Sequence, residues 1–560
     1  MRRVEDKTGR KLVLLAGAIA IVAGCFAAYM PAIQGGFVWD DDDYVTANPL
    51  LSAPDGLYRI WFSTDSPSQY FPLTYTTFRL EYQLWGLNPA GYHTVNVAIH
   101  CINALLLWLV LRRLSIPWAW FAAAVFALHP VNVESVAWIT ERKNALMLFF
   151  SLLSVLCWVE FVFGGKPGRK AILLYAASLL FCALALFSKA TACTLPAALV
   201  LILWLKRSPV TVKRWLQIVP YIAMAIGIGL LVMWWERHHQ GMGVVNLGLS
   251  STEKTLIAGR ALWFYLWKLF WPVNLAFSYP RWNIDAHSVW QYGWPVSFVI
   301  AIVCAWLLRS RIGRGPATTL LFFPAMLFPM LGFFPLYTFV YTFVADHYQY
   351  MACIGPIALV AAGGAALFGS SGKNARFVIA SAAGVLLLTL GILTWRQCEA
   401  YTSRDTLWID TLKKNPDSWL AHGELSSSLY RQGKFDEALP HLDRLLELAQ
   451  YVKKIHPRAY SDAYYCKGLI FTAKNRPQDA AEQYTKSLEV DDNSALVHYL
   501  LANILVKQGK VEEATVHYRQ GLKIARAKGA KNLAEDIRRQ LETIEKQKAD
   551  TRPETQDHRQ

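Results

Sequence analysis

The sequence predicts an all-α protein in two parts, a polytopic transmembrane helical bundle followed by an α-solenoid. Three observations carry that reading. Hydrophobic residues make up 54% of the 560 positions and charged residues only 17%. The average hides a step near Trp395: before it apolar runs alternate with short polar loops, and after it no run is long enough to cross a bilayer. The last part also repeats itself, as stacked helical hairpins do. The expected organisation is a membrane domain over 1–398, repeats over 399–530, and a basic capping helix with a polar tail over 531–560.

Basic residues order the membrane part. Arg2, Arg3, Lys7, Arg10 and Lys11 precede the first apolar run, Leu12 to Ile33, which places the N-terminus in the cytoplasm. That run is long for a signal peptide, and no small-residue cleavage site precedes the acidic stretch after it, so it reads as an anchor. The loop from Gln34 to Gly91 then lies outside. Further spans begin near Tyr92, Pro117, Asn144, Ala171, Thr191, Trp215, Gly293, Pro316, Tyr350 and Arg376, about eleven in all. Leu256 to Trp271 carries Arg260, Lys268 and many aromatics, and reads as an interfacial or re-entrant helix. With that stretch not crossing, Arg112-Arg113, Lys166–Lys170, Lys206–Arg214, Arg309–Arg314 and Lys373–Arg376 all fall on the cytoplasmic side. The C-terminal part then lies on the outer face.

The net charge of +16 does not point to nucleic acid, because many of the cations sit in short loops where they set topology. Of the nine cysteines, seven lie in or beside apolar runs, and none has metal-ligand or CxxC spacing.

In the tail, Asp436-Glu437-Ala438-Leu439 is echoed by Gln478-Asp479-Ala480-Ala481 and by Glu512-Glu513-Ala514-Thr515. Ala480 to Ala514 is a period of 34, the tetratricopeptide length. Ala438 to Ala480 is 42, as an insertion of eight around Tyr451 to Arg458 would give. Gly433, Asn475 and Gly509 take the turn between the two helices of each unit. Leu429, Phe471 and Leu505 pack before that turn, and Leu442, Tyr484 and Tyr518 after it. The helix Asn532–Lys546 caps the stack.

Chemistry concentrates on the expected outer face. Phe37-Val38-Trp39-Asp40-Asp41-Asp42-Asp43-Tyr44 assembles four carboxylates that repel one another. Such a run suits a solvated loop, or a site that needs an acid and a base, and its aromatic flanks suit a headgroup-level belt. Three segments join it: Tyr92-His93 with Asn96, His100 and Asn103; His129 to Trp138 followed by Glu141-Arg142-Lys143; and Asp346-His347-Tyr348-Gln349-Tyr350. Ionisable groups at span ends mark functional sites unless they merely pair with neighbouring helices or headgroups. For His100 and Asn103 the plainer alternative is hydrogen bonding between helices.

The run from FVWDDDDY through HPVNVESVAWITERKNAL to ADHYQY, ending in tetratricopeptide repeats, resembles the transmembrane-and-tetratricopeptide O-mannosyltransferase family and its bacterial relatives. The resemblance implies a GT-C membrane fold, a hexosyltransferase activity and a polyprenyl-phosphate sugar as donor. Position by position it puts the acidic pair at Asp40 and Asp41, the second outer loop at Glu134, Arg142 and Lys143, and the late loop at Asp346, His347 and Tyr348. Many relatives have arginine where this chain has His347. By the chemistry of their side chains, the roles expected are Asp41 as base with Asp40 a close second, Glu134 as an orienting group, and Arg142, Lys143, His347 and Lys189 on the donor phosphate. His93, Asp346 and Tyr348 would serve the acceptor or support the site.

Those residue types fit transfer from a lipid phosphate, which needs a base for the acceptor hydroxyl and cations for the departing phosphate. Clustered aspartates also suit Mg²⁺ or Mn²⁺, while local cations could replace a metal, so metal dependence stays open. The partners implied are the polyprenyl-phosphate sugar, membrane lipids and a protein acceptor held by the tetratricopeptide groove. The alternative is a membrane-anchored scaffold without activity, whose tail assembles envelope proteins.

Overall fold

Once water is excluded, each backbone group must find its partner within its own segment, and apolar runs bounded by Pro, Gly and basic pairs become helices. The structure is a computed structural model and describes residues 2–64, 67, 69–165, 167–239, 247–334, 337–448 and 457–550. Every regular element among them is helical. The chain divides into two compact units, Met1–Pro416 and Asp417–Gln560.

In the first unit every run expected to span is a helix. Among the described residues seven helices are long and apolar enough to cross a membrane, from Lys11–Ala28 to Lys373–Glu399. The run near Pro117 is a broken pair, Ala119–Leu128 and Pro130–Ala137, bent by 56°, and counts as an eighth if it is one span. The remaining runs are the shorter apolar helices Ala190–Leu205, Gly315–Met330 and Ile354–Ser370. The Ser251–Phe270 helix, expected not to cross, is not among the candidate spans. Its entry is a capping box between Ser250 and Glu253. At its exit Lys268 folds over to donate to the carbonyls of Val273 and Asn274, at 2.6 and 3.1 Å.

The basic loops gather at one end of this unit. Lys206 donates to Leu114 O at 3.3 Å, Arg314 to Trp204 O at 2.7 Å, and Arg113 pairs with Glu160 at 2.9 Å. Arg214 lies over Phe161, and Trp118 meets Phe368. Lys166 lies outside the described residues. At the opposite end Gly36 N donates to Thr402 O at 2.9 Å, Thr394 to Leu128 O at 2.7 Å and Asn144 to His347 O at 2.9 Å.

Three expectations change. The Gln34–Gly91 stretch is no open loop: it folds into a cap with helices Gly56–Phe62 and Pro72–Trp85, over a core of Tyr44, Leu50, Ile60, Tyr75 and Phe78. Its aromatics are not a headgroup belt, since rings of that size stabilise more by packing on one another. Tyr44 stacks on Tyr75 at 5.0 Å, Phe37 meets Tyr92, and Trp39 sits among Trp138, Phe277, Tyr341 and Trp408. Third, the outer-face segment from His129 to Lys143 is buried throughout, as is the start of the span after it up to Leu148. The break at Pro130 removes a helical donor and turns the chain inward.

The Arg404–Lys414 helix, assigned to the tail from sequence, belongs to the first unit. Trp408 packs on Phe277 at 5.4 Å, Lys414 donates to Leu275 O at 2.6 Å, and Asn415 to Ser278 O at 3.1 Å.

The second unit stacks three helical pairs, Trp419–Arg431 with Phe435–Glu447, Pro457–Ala473 with Pro477–Val490, and Ala495–Lys507 with Val511–Ala527. Gly433, Asn475 and Gly509, expected at the turns, take φ of 73°, 55° and 77°. Only glycine adopts that conformation without cost, and asparagine tolerates it best of the rest. Ala438, Ala480 and Ala514 are fully buried, where the paired helices approach. The capping helix runs Lys531–Asp550 and buries Ile537, Leu541 and Ile544. Most of the insertion expected around Tyr451 to Arg458 lies outside the described residues.

Candidate active site

The four aspartates meet four environments. Asp41 is fully buried and saturated: one oxygen accepts from Thr140 N at 2.9 Å and Thr140 Oγ1 at 2.5 Å, the other from Val38 N at 2.8 Å. Burial pushes its carboxyl up to about 6, against the pull of those three bonds. Asp40 is half-buried, and among the described residues no hydrogen bond or ion pair engages its carboxylate. Burial pushes it up to about 7, although the Lys143 ammonium draws it down. Asp42 pairs with Arg404 and accepts from Thr46, and Asp43 is exposed.

A chain of alternating charges lies beside Asp40. Lys143 pairs with Glu141 Oε1 at 3.0 Å and points its ammonium at the faces of Tyr44, Phe71 and Trp138, 5.0 to 5.7 Å from their centroids. Lys189, from the junction after the Arg169–Ser188 helix, reaches Glu141 Oε2 at 3.1 Å. Burial pushes its amine down to about 8, against the attraction of Glu141. Asn144 donates to the same oxygen at 2.6 Å. His347 Nε2 stands 4.0 Å from Glu141, and its Nδ1 stands 3.1 Å from Glu134 Oε1 without hydrogen-bond alignment. Glu134 Oε2 accepts from the His347 backbone N at 2.9 Å. Glu134, Glu141, Lys143, Lys189 and His347 thus form one buried constellation.

The other expected residues lie at its edge or outside it. Arg142, expected on a phosphate, is fully buried and engaged: it grips Glu81 with two nitrogens, donates to Asn96, and donates to Tyr92 O at 2.8 Å. No face of it is open to a ligand, so its place in the structure is to pin the cap to the bundle. Asp346 accepts from Tyr279 OH at 2.9 and 3.0 Å, and burial raises its carboxyl well above the usual range. Tyr348 bonds to Thr338, and its ring meets His347 at 4.5 Å. His93 Nε2 lies 3.3 Å from Gly36 O, with Nδ1 buried and unpartnered. His100 bonds to Tyr350 and Ala127 O, and Asn103 to Ala145 O, the interhelical role weighed for both. Sequence reasoning missed Glu81, Thr140 and Tyr279. Nothing local marks them, since their partners lie 61, 99 and 67 residues away.

The aspartate run does not converge into a cation cage. Asp41 has both oxygens engaged and Asp42 faces Arg404, and among the described residues no group of three or more His, Cys, Asp or Glu is placed to hold a metal ion.

A family model for the tetratricopeptide repeat matches residues 406–452 and 467–528. The chain is 33% identical over 146 residues to the Caenorhabditis elegans protein O-mannosyl-transferase F38B6.6, which is 24% of this chain and 21% of that one. It is 36% identical over 168 residues to human protein O-mannosyl-transferase TMTC4, 26% of this chain and 22% of that one. Against Drosophila melanogaster protein O-mannosyl-transferase Tmtc3 it is 22% identical over 596 residues, 90% of this chain and 63% of that one. The chain therefore spans less than two thirds of each of these relatives. A solved Archaeoglobus fulgidus oligosaccharyltransferase is similar at 12% identity and a TM-score of 0.37, over 76% of this chain and 59% of that one. One likeness, to protein O-mannosyl-transferase Tmtc3, thus runs through both the helical bundle and the repeats of this chain.

Proposed function

We propose that the protein is a membrane glycosyltransferase that moves a sugar, mannose by analogy with the relatives' names, from a polyprenyl-phosphate donor to a hydroxyl of a protein acceptor. The observation that carries this is Asp40: a half-buried carboxylate with no bonding partner among the described residues, poised near neutrality, beside a buried cluster of Lys143, Lys189 and His347. A base whose pKa matches the working pH transfers protons best. Asp40 takes the hydroxyl proton as the acceptor oxygen attacks the anomeric carbon on the face opposite the phosphate. The bond from that carbon to the phosphate oxygen breaks, the configuration inverts, and the polyprenyl phosphate departs with the electron pair. Lys143 and Lys189, oriented by Glu141 between them, hold the charge that develops on the phosphate. Asp41 acts one step back: its bonds to Val38 and Thr140 fix the turn that presents Asp40. Glu134 positions His347.

Seven of the helices can cross a membrane, and the basic loops share the end opposite the aspartates. By the positive-inside rule that end is cytoplasmic, and Asp40 and the tail face outward. The tail follows the last candidate span closely in sequence. It would raise the local concentration of a bound protein acceptor.

The test is transfer by the reconstituted full-length protein from polyprenyl-phosphate mannose to an acceptor protein, wild type against Asp40→Asn. Transfer that depends on Asp40 supports the reading. Equal transfer by both forms removes Asp40 from the reaction, and none by wild type with acceptors from the same membrane favours the scaffold.

A further inference from the structure

The segment joining the Ser251–Phe270 and Gly293–Leu307 helices carries chemistry that the transfer site does not use. Arg260 and Phe264 are one helical turn apart and face the same way. The Arg260 guanidinium lies over Trp282 at 4.5 Å, while Phe264 meets Tyr279 at 4.8 Å and Trp282 at 5.8 Å. The chain is thereby folded back along the helix, leaving a cleft of about 520 Å³ lined by Arg260, Arg281, Trp282, Asn283, Asp285 and Gln291 among others.

The cleft holds more positive than negative charge. Arg281 is oriented by its bonds to the carbonyls of Phe339 and Val340, at 2.6 and 3.1 Å, and by the Phe343 ring at 4.4 Å. Arg260 has no hydrogen bond or ion pair among the described residues. Stacking on an indole holds its plane and leaves its edge donors open, the geometry that suits a phosphate. The one carboxylate in the lining, Asp285, accepts from His287 N at 2.8 Å. Around the cleft stand exposed apolar side chains: Val289 and Trp290 on one side, Trp267, Phe270 and Trp271 on the helix. In a multi-pass membrane protein such a rim marks the headgroup level. Tyr279, next to the cleft wall, bonds Asp346, whose neighbour His347 belongs to the buried charge cluster beside Asp40.

We propose that this cleft binds the phosphate ester at the head of a lipid, with Arg260 as the direct ligand and Arg281 adding charge. A phospholipid headgroup, a polyprenyl phosphate and free phosphate share that chemistry; the aromatic rim favours a phosphate tethered to a chain in the membrane. The inference rests on membrane placement and is independent of the transferase reading.

The test uses full-length protein in phosphatidylcholine nanodiscs doped with phosphatidylglycerol or with a polyprenyl phosphate, lipid retention being read by native mass spectrometry. Both dopants are expected to be retained over phosphatidylcholine. Arg260→Gln should weaken retention roughly tenfold, the loss expected for a charge-assisted hydrogen bond. Asp285→Asn should strengthen it, an opposite sign that misfolding cannot imitate. Retention of the polyprenyl phosphate alone, weakened by Arg260→Gln, also supports the site and names the occupant, whereas retention that Arg260→Gln leaves intact belongs to the transfer site and overturns the proposal. Unchanged retention in Arg260→Gln, or displacement by inorganic phosphate at equal concentration, overturns the proposal.

Discussion

Arg142 and Glu81 form a two-nitrogen ion pair, buried within the first unit and separated by 61 residues. Asn96 and Tyr92 O take further donors of the same guanidinium. Removing one partner leaves a charge without water or counter-ion, which costs about 3–5 kcal/mol. Glu81→Ala should therefore lower the melting temperature of the detergent-solubilised protein sharply. The double variant Glu81→Ala, Arg142→Met should recover most of the loss. If Glu81→Ala melts with wild type, the pair does not hold the cap to the bundle.

The pair also shows what the sequence could convey. Helices, their order and the gathering of the basic loops at one end follow from apolar run length and charge, both local properties. The repeat turns at Gly433, Asn475 and Gly509 were legible for the same reason. What Arg142 touches was not, because Glu81 lies in another helix and its identity as partner depends on three-dimensional closure. The motif drew attention to residues 134–143, but their burial reversed the expectation for Arg142. It also favoured Asp41, whose three hydrogen bonds become visible only when Thr140 is brought against the turn.

Asp40 and Asp41 should respond differently to the same substitution. Asp40→Asn loses the base without losing a bond, so transfer should fall about 10²- to 10⁴-fold with unchanged thermal stability. Asp41→Asn keeps an acceptor for Thr140 but turns an amide NH₂ toward Val38 N. That clash of donors should destabilise by roughly 1–3 kcal/mol, lowering stability and activity together. Melting curves and transfer rates on matched preparations separate the two. Full transfer by Asp40→Asn excludes it as the base.

The pH profile gives a second reading of Asp40. Its carboxyl is pushed up to about 7 and that of Asp41 to about 6. A base works ionised, so transfer should decline as pH falls through that interval, with apparent values belonging to the pair. Asp40→Glu should keep a limb of the same sign at a lower rate. An activity flat between pH 5 and 8, with chemistry rate-limiting, would remove both carboxylates from the proton step.

The tail carries a separate pH response, written into its repeats. His422 and His441 lie Nδ1 to Nδ1 at 2.9 Å, and His498 and His517, each 76 positions further on, at 3.0 Å. Such a contact needs one nitrogen to donate and the other to accept, so each pair is held together only while at least one ring is neutral. Burial lowers the pKa of His441, His498 and His517. A base whose folded pKa lies below its unfolded value stabilises the fold above the unfolded value, about 6.5. That stability is lost as pH falls through this value toward the folded ones. In the middle repeat the place of His441 and His517 is taken by Gln483, 42 positions after the first and 34 before the second. A residue that does not titrate is thus tolerated there. Amide exchange of the tail helices in the full-length protein should be faster at pH 5 than at pH 7.5. The double variant His441→Gln, His517→Gln should flatten that difference, while exchange at pH 7.5 stays near wild type. If the variant keeps the full pH dependence, the acid sensitivity of the tail lies elsewhere, and the paired histidines are packing groups only.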